Sequence, residues 1–157
     1  RDTYSICSIK APRGRGGIVE NITYDSMKHC NHSREHQDCK WFRGAIYIDQ
    51  FYSHDEYDWE NPQPVDEGTS HIRNITLKNM EAETVTGNAV FLAGLPESPL
   101  ENIRLVNVKA GGRYGMKAAN IRNLQMENVT IGAREGGAYE YHAVSGKKEG
   151  GEIGSNE

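Results

Sequence analysis

Four nine-residue segments of this chain superimpose without gaps: VENITYDSM from Val19, IRNITLKNM from Ile72, LENIRLVNV from Leu100 and IRNLQMENV from Ile121. Each reads apolar, x, Asn, apolar, x, apolar or aromatic, x, Asn, apolar, with Ser26 in place of the second Asn in the first copy. Repetition on this scale constrains the fold more than any single residue, because each copy must bury its apolar side against a neighbouring copy. In the third copy the apolar positions Leu100, Ile103, Leu105 and Val108 are spaced 3, 2 and 3 residues apart. A strand alternates strictly by two, so an extra residue enters at each end of a short strand, where the chain has to bend. Asn21, Asn74, Asn102 and Asn123 fall at the bend. Asn tolerates left-handed backbone, and its amide can satisfy backbone groups at a corner.

These Asn positions recur after 53, 28 and 21 residues, so the longest interval holds a full turn of structure plus a loop. Between the copies, GAIYIDQFY (44–52), GNAVFLAGL (87–95) and the shorter YGMKAAN (114–120) read as further strands. Units of roughly 20 to 30 residues built from short strands suit a parallel β-helix, in which each turn stacks on the next. Gly, Asn and Pro interrupt every window long enough for an amphipathic helix, which argues against helical repeats. Only 36% of the 157 residues are hydrophobic, but a core one turn thick needs few apolar residues per turn. The longest apolar run, AVFLAGL at 89–95, is far short of the roughly 18 residues of a membrane helix, so no membrane partner is expected. The expected architecture is all-β: residues 1–131 form stacked turns, incomplete at their N-terminal end. Residues 132–157, rich in Gly and Glu, form a mobile tail in which AYEYHAV docks on the last turn.

The stretch SIKAPRGRGGIVENI (8–22) sets Lys10, Arg13 and Arg15 beside Gly14, Gly16 and Gly17. Phosphate-binding loops of this composition lead into a helix N-terminus. This one leads into Ile18, Val19, Ile22 and Thr23, whose β-branched side chains favour a strand. The RGG box occurs once, in a chain of formal net charge -4, which argues against a nucleic-acid partner.

Together SIKAPRGRGGIVENITYDSM, GAIYIDQFY, HIRNITLKNM, GNAVFLAGLPESPLENIRLVNV and IRNLQMENV resemble the C-terminal half of glycoside hydrolase family 28, the polygalacturonase family of pectin-degrading enzymes. The resemblance covers residues 5–131. Its motifs keep their order: a Lys before a glycine-rich corner, an Ile-Asp-Gln-x-Tyr strand, then a Gly-Leu-Pro-Glu-x-Pro turn. It implies a right-handed, single-stranded parallel β-helix of the pectin-lyase-like kind, and an inverting hydrolase of pectic polysaccharide that uses no cofactor. It also implies an extracellular or periplasmic location. Lys10 is implied as a grip on the galacturonate carboxylate. The family's Arg-Ile-Lys motif reads Ser8, Ile9, Lys10 here, so one of its two cations is replaced by a hydroxyl that cannot form a bidentate charged pair. Arg13 and Arg15 are read as solvated loop residues. Tyr52, two residues after Gln50, is implied as the phenol that packs on a sugar face. Simple alternation gives Ile46, Ile48, Gln50 and Tyr52 one parity, so Tyr52 reaches a cleft only if the chain bends after Gln50.

Inverting hydrolysis needs two carboxyl groups about 6.5 to 9.5 Å apart. The family carries its catalytic aspartates in Asn-Thr-Asp and Asp-Asp motifs near a Gly-His-Gly, all preceding the Lys motif; none of these occurs in this sequence. The resemblance therefore puts the catalytic aspartates upstream of Arg1, and this chain alone is expected to be inactive. A non-catalytic carbohydrate-binding or adhesin β-helix is the alternative, and only the enzyme requires upstream aspartates. Open strand edges at the N-terminal end would favour self-association.

KHCNHSREHQDCKWF (28–42) holds Cys30, His32, His36 and Cys39 in an order that could supply zinc ligands. The spacing matches no common finger, and a Cys30–Cys39 disulfide is the other possibility, so no metal is expected. The acidic SHDEYDWENPQPVDEG (53–68) lacks the ordered oxygen spacing of a calcium loop and is read as a solvated loop. Sequons begin at Asn21, Asn31, Asn74 and Asn128, but three of these coincide with corner or strand-end positions of the repeat.

Overall fold

In a computed structural model, residues 4–32, 42–52 and 57–153 are described. They form strands β1 (Cys7–Lys10), β2 (Ile18–Asn31), β3 (Gly44–Asp49), β4 (His71–Thr84), β5 (Asn88–Ala93), β6 (Leu100–Gly112), β7 (Tyr114–Ala133), β8 (Tyr139–Lys148) and β9 (Gly151–Glu152). Among the described residues there is no helix. All nine strands join one sheet, parallel throughout except where β9 returns antiparallel to β8.

The chain repeats one unit: a short strand, a connection and a long strand. Short strands stack in the order β1, β3, β5 and the first part of β7, while long strands stack as β2, β4, β6 and the second part of β7. Within β7 the two parts run together through Asn120, whose φ of 51° turns the corner in one residue. Earlier layers use longer connections there, the longest running from Gln50 to Ser70 between β3 and β4.

Inward residues of successive layers lie in register, as in Ile22, Ile75, Ile103 and Leu124, or Tyr24, Leu77, Leu105 and Met126. From the second layer onward these side chains are essentially inaccessible to solvent, and each contributes roughly 1.5 to 3 kcal/mol by leaving water. In the first layer Val19, Ile22, Tyr24 and Met27 are only partly buried. On the outer face charges alternate along the stack, with Arg73 bonded to Glu20 at 2.6 Å and Arg122 to Glu101 at 3.4 Å.

Both Asn positions of the repeat are corners. Asn21, Asn74, Asn102 and Asn123 have φ between 53° and 63°, and Ser26, Asn79, Asn107 and Asn128 between 51° and 56°. Their amides were expected to serve the backbone; instead they bond to one another. Each Nδ2 donates to the Oδ1 of the preceding layer, from Asn74 to Asn21, Asn102 to Asn74 and Asn123 to Asn102, at 2.8 to 3.0 Å. The second ladder runs from Asn128 to Asn107 to Asn79. Where Ser26 breaks the series, Asn79 donates to the adjacent Asp25 carboxylate at 2.9 Å. Replacing Asn102 by Ala should cost about 1 to 2 kcal/mol, since a non-Gly left-handed residue is disfavoured and the ladder is cut in an exposed setting. Asn102→Gly keeps the backbone permissive and should cost less; denaturant titration of the two variants checks the order.

β8 adds a further layer beyond the repeat, pairing in parallel with β7 over Tyr139–Lys148. Ile121 pairs with Val144 but Leu124 with Gly146, so β8 is one residue short where β7 has its Asn123 corner. The repeat motif is therefore lost in sequence and in geometry at the same place. β9 and the buried Ile153 fold back over this end.

A candidate ligand-binding site on the outer face of the short strands

β1 turns Cys7 and Ile9 inward and Ser8 and Lys10 outward. Burial pushes the Cys7 thiol up to about 12, against a smaller opposing effect of its hydrogen bond with Tyr24, so it is no nucleophile at neutral pH. Ser8 is level with Tyr47 of β3, and Lys10 with Asp49. The Asp49 carboxyl, wholly buried, accepts hydrogen bonds from the Phe51 amide and the Tyr57 hydroxyl, both at 2.8 Å, and lies 3.7 Å from Arg43 Nε. Burial, then the Asp49 charge, push the Tyr57 phenol upward, which keeps it a neutral donor.

Lys10 has different surroundings. Its Nζ lies 4.5 Å from the centroid of the Tyr52 ring and 5.6 Å from that of Tyr47. Among the described residues Lys10 forms no ion pair. Arg13, Lys28, Arg43, Arg73, Lys78, Arg104, Arg113, Lys117, Arg122 and Arg134 each face a carboxylate, whereas Arg15, Lys109, Lys147 and Lys148 share with Lys10 the lack of an ion pair among the described residues, Lys148 lying over the Tyr139 ring at 3.6 Å. Burial works against the Lys10 charge, but the influence of the neighbouring Tyr47 and Tyr52 phenols outweighs it, and its pKa is raised. A cation held against aromatic faces and left without a counter-ion is suited to receive an anion.

Tyr52 arrives there because β3 ends at Asp49. Gln50, buried, donates to the carbonyl and hydroxyl of Ser70 and accepts from the Leu95 amide at 3.2 Å. Phe51 then turns into an outer apolar cluster with Tyr47, Phe91, Ala93 and Leu95, against which Tyr57 and Trp59 pack. The chain thus leaves strand alternation at Gln50, and Tyr52 stands half-buried beside Lys10. Part of the stretch read as a solvated acidic loop is therefore a cover: the Tyr57 ring meets Phe51 at 5.2 Å and Phe91 at 5.5 Å. Residues 53–56 of that stretch lie outside the described residues.

The backbone of the glycine-rich corner is turned to the chain itself. The amides of Gly14 and Gly16 both donate to the carbonyl of Gly68 at 2.9 Å. Gly16 has φ 62°, and a Cβ there would collide with the Glu67 carbonyl. Arg13, expected to be solvated, makes a bidentate pair with Glu97 at 2.6 and 2.9 Å and lies over the Phe51 ring. Burial raises the Glu97 carboxyl, but hydrogen bonds from Arg13 and from backbone amides prevail and hold it below the ordinary 4.5. Arg15 remains exposed. The three motifs thus converge: the glycine-rich corner on Glu97 of the Gly-Leu-Pro-Glu-x-Pro turn, and Gln50 of the Tyr52 strand on Leu95 of that same turn.

A groove of about 300 Å³ lies on the long-strand ladder, lined by Lys28, Cys30, Glu83, Lys109, Gly111 and Gly132 among others. In its lining Lys28 pairs with Glu81, and Glu83 pairs with Arg134 outside it, while Lys109 forms no ion pair among the described residues. Cys30 is a free thiol with its Sγ 3.2 Å from His32 Nε2. His36 and Cys39, the other zinc or disulfide candidates, lie outside the described residues. Among the described residues no group of three or more His, Cys, Asp or Glu side chains is placed to hold a metal ion.

Comparison of the chain with protein-family models, curated proteins and solved structures finds no match.

Proposed function

We propose that this chain is the substrate-holding part of a polygalacturonase-like glycoside hydrolase, folded as a right-handed parallel β-helix, with Lys10 and Tyr52 in contact with a pectic oligosaccharide. The observation that carries the reading is the Lys10 ammonium, unpaired among described residues and flanked by two phenols. An acidic sugar supplies what that site lacks: one carboxylate for the ammonium and an apolar ring face for Tyr52. With Ser8 exposed beside Tyr47, the grip is by a single point charge, so binding should be weak and monodentate at this sugar. The bond-breaking carboxylates are assigned to chain upstream of Arg1, as the family resemblance implies. Secretion or export to the periplasm follows from the same resemblance.

Titration of the isotope-labelled chain with an oligogalacturonide, followed by two-dimensional NMR, tests the placement. Resonances of Ser8, Lys10, Tyr47 and Tyr52 should move together and saturate. Perturbations confined to Lys28, Lys109 and Gly111 would transfer the site to the long-strand groove and remove the basis for the proposal.

A further inference from the structure

We propose that Cys30 and His32 form a thiol–imidazole pair that undergoes disulfide exchange with a small, carboxylate-bearing disulfide seated in the long-strand groove. The pair shares no residue with the Lys10 site, so it stands or falls independently of the acidic-sugar reading.

Cys30 is a free, partly exposed thiol at one end of the groove, with its Sγ 3.2 Å from Nε2 of the exposed His32. At that distance the imidazole can accept the thiol proton and leave the thiolate, the form that attacks a disulfide. Cys7 is the contrast, buried in the core with its thiol pushed up to about 12. Beyond Cys30 the stacked layers set Glu83, Gly111 and Gly132 in one outward row, with Lys28 and Lys109 in the row beside it. Neither glycine has the left-handed backbone that calls for Gly, and a Cβ on either would meet nothing closer than 3.8 Å. The fold therefore has room for side chains there, and their absence opens the floor of the groove. Glycine so placed within a strand often marks the close approach of a ligand. Lys109 stands two layers from Cys30, roughly 9 to 10 Å along the stack, within the span of an extended tripeptide. Its ammonium, without an ion pair among the described residues, offers a partner to a ligand carboxylate, whereas Glu83 is already paired with Arg134. In the exchange the Cys30 thiolate attacks one sulfur of the ligand. A new S–S bond forms as the old one breaks, and the departing thiolate takes the proton held by His32. Cys30 is oxidised to a mixed disulfide, and half of the ligand is reduced to a thiol.

Cys39→Ser removes the third thiol of the chain, which lies outside the described residues, and leaves Cys7 and Cys30. This chain, reduced and folded, is exposed to oxidised glutathione at pH 7, and the adducts are followed by peptide mass spectrometry. The adduct should form on Cys30, with Cys7 unmodified until the chain is denatured. A thiol with no base beside it is only a few per cent thiolate at neutral pH, so His32→Ala should slow the reaction about tenfold. Lys109→Gln should slow it about threefold, the scale of one exposed charge pair. The same substitution should leave the reaction with uncharged bis(2-hydroxyethyl) disulfide unchanged. Gly111→Val, which fills the floor, should likewise slow only the glutathione reaction.

Absence of an adduct on Cys30, or a rate in folded His32→Ala equal to the parent's, would overturn the thiol–imidazole pair. Glutathione rates equal to the parent's in both Lys109→Gln and Gly111→Val would overturn the groove as the seat of the ligand.

Discussion

Replacing Arg13 by Ala should destabilise the chain by about 3 kcal/mol, because it strands a carboxylate that has almost no access to water. The side chain of Glu97 is 4% exposed and receives both nitrogens of the Arg13 fork. Removing the guanidinium leaves this acceptor desolvated and unpaired, which costs more than the intact pair contributes. Arg13 also covers the Phe51 ring at 5.1 Å, so the loss is in packing as well as charge. The sign with pH follows from the lowered pKa of Glu97. A carboxyl whose folded-state pKa lies below its unfolded value contributes stability at neutral pH, lost as pH falls through the folded value. In the parent, stability should decline below pH 4.5, the ordinary value for Glu. In Arg13→Ala that part of the decline should disappear, because the depressed pKa depended on the guanidinium. Urea titrations at pH 7 and below pH 4 in both proteins measure the two effects. A stability difference near zero at pH 7 would show that the pair is as dispensable as an exposed one.

That ion pair also marks the boundary of what the sequence discloses. The stacked corners were legible because left-handed backbone strongly restricts residue type, and Asn fills every corner of the repeat except Ser26. What the amides bond to was not legible. Their partners are the equivalent residues one layer away, and the ladder exists only once the register is set. The cations of the glycine-rich stretch were read locally as solvated, while the partner of Arg13 lies 84 residues further on. Nor does local composition show that the Gly14 and Gly16 amides are satisfied by Gly68. Tyr47 was missed for a related reason. Alternation in GAIYIDQFY assigns it to the outer face, where a phenol on a lone strand would be ordinary. Its significance comes from Phe91 on the next strand and from Tyr57 and Trp59 folding over from a stretch whose composition is that of a solvated loop. One available signal was the density of aromatics from Tyr47 to Trp59, high for a stretch assigned only to solvent contact. Lys10 and Tyr52 lie 42 positions apart, yet parallel pairing of β1 with β3 brings their side chains together.

The central claim is that Lys10 recognises the carboxylate of an acidic sugar, and the most direct test compares one oligosaccharide with and without that charge. Calorimetric titration with tetragalacturonate, and with its fully methyl-esterified form, holds length and ring stereochemistry constant while removing the anion. A charge-assisted hydrogen bond of about 1.5 to 3 kcal/mol corresponds to roughly a 10- to 150-fold preference for the acid. The parent chain should show that preference, weakening as salt is raised. Lys10→Ala should bind acid and ester about equally, with no loss of folding stability, since the ammonium is exposed and closes no ion pair with a described residue. Equal affinity of the parent for both ligands, or an acid preference that survives in Lys10→Ala, would contradict the account.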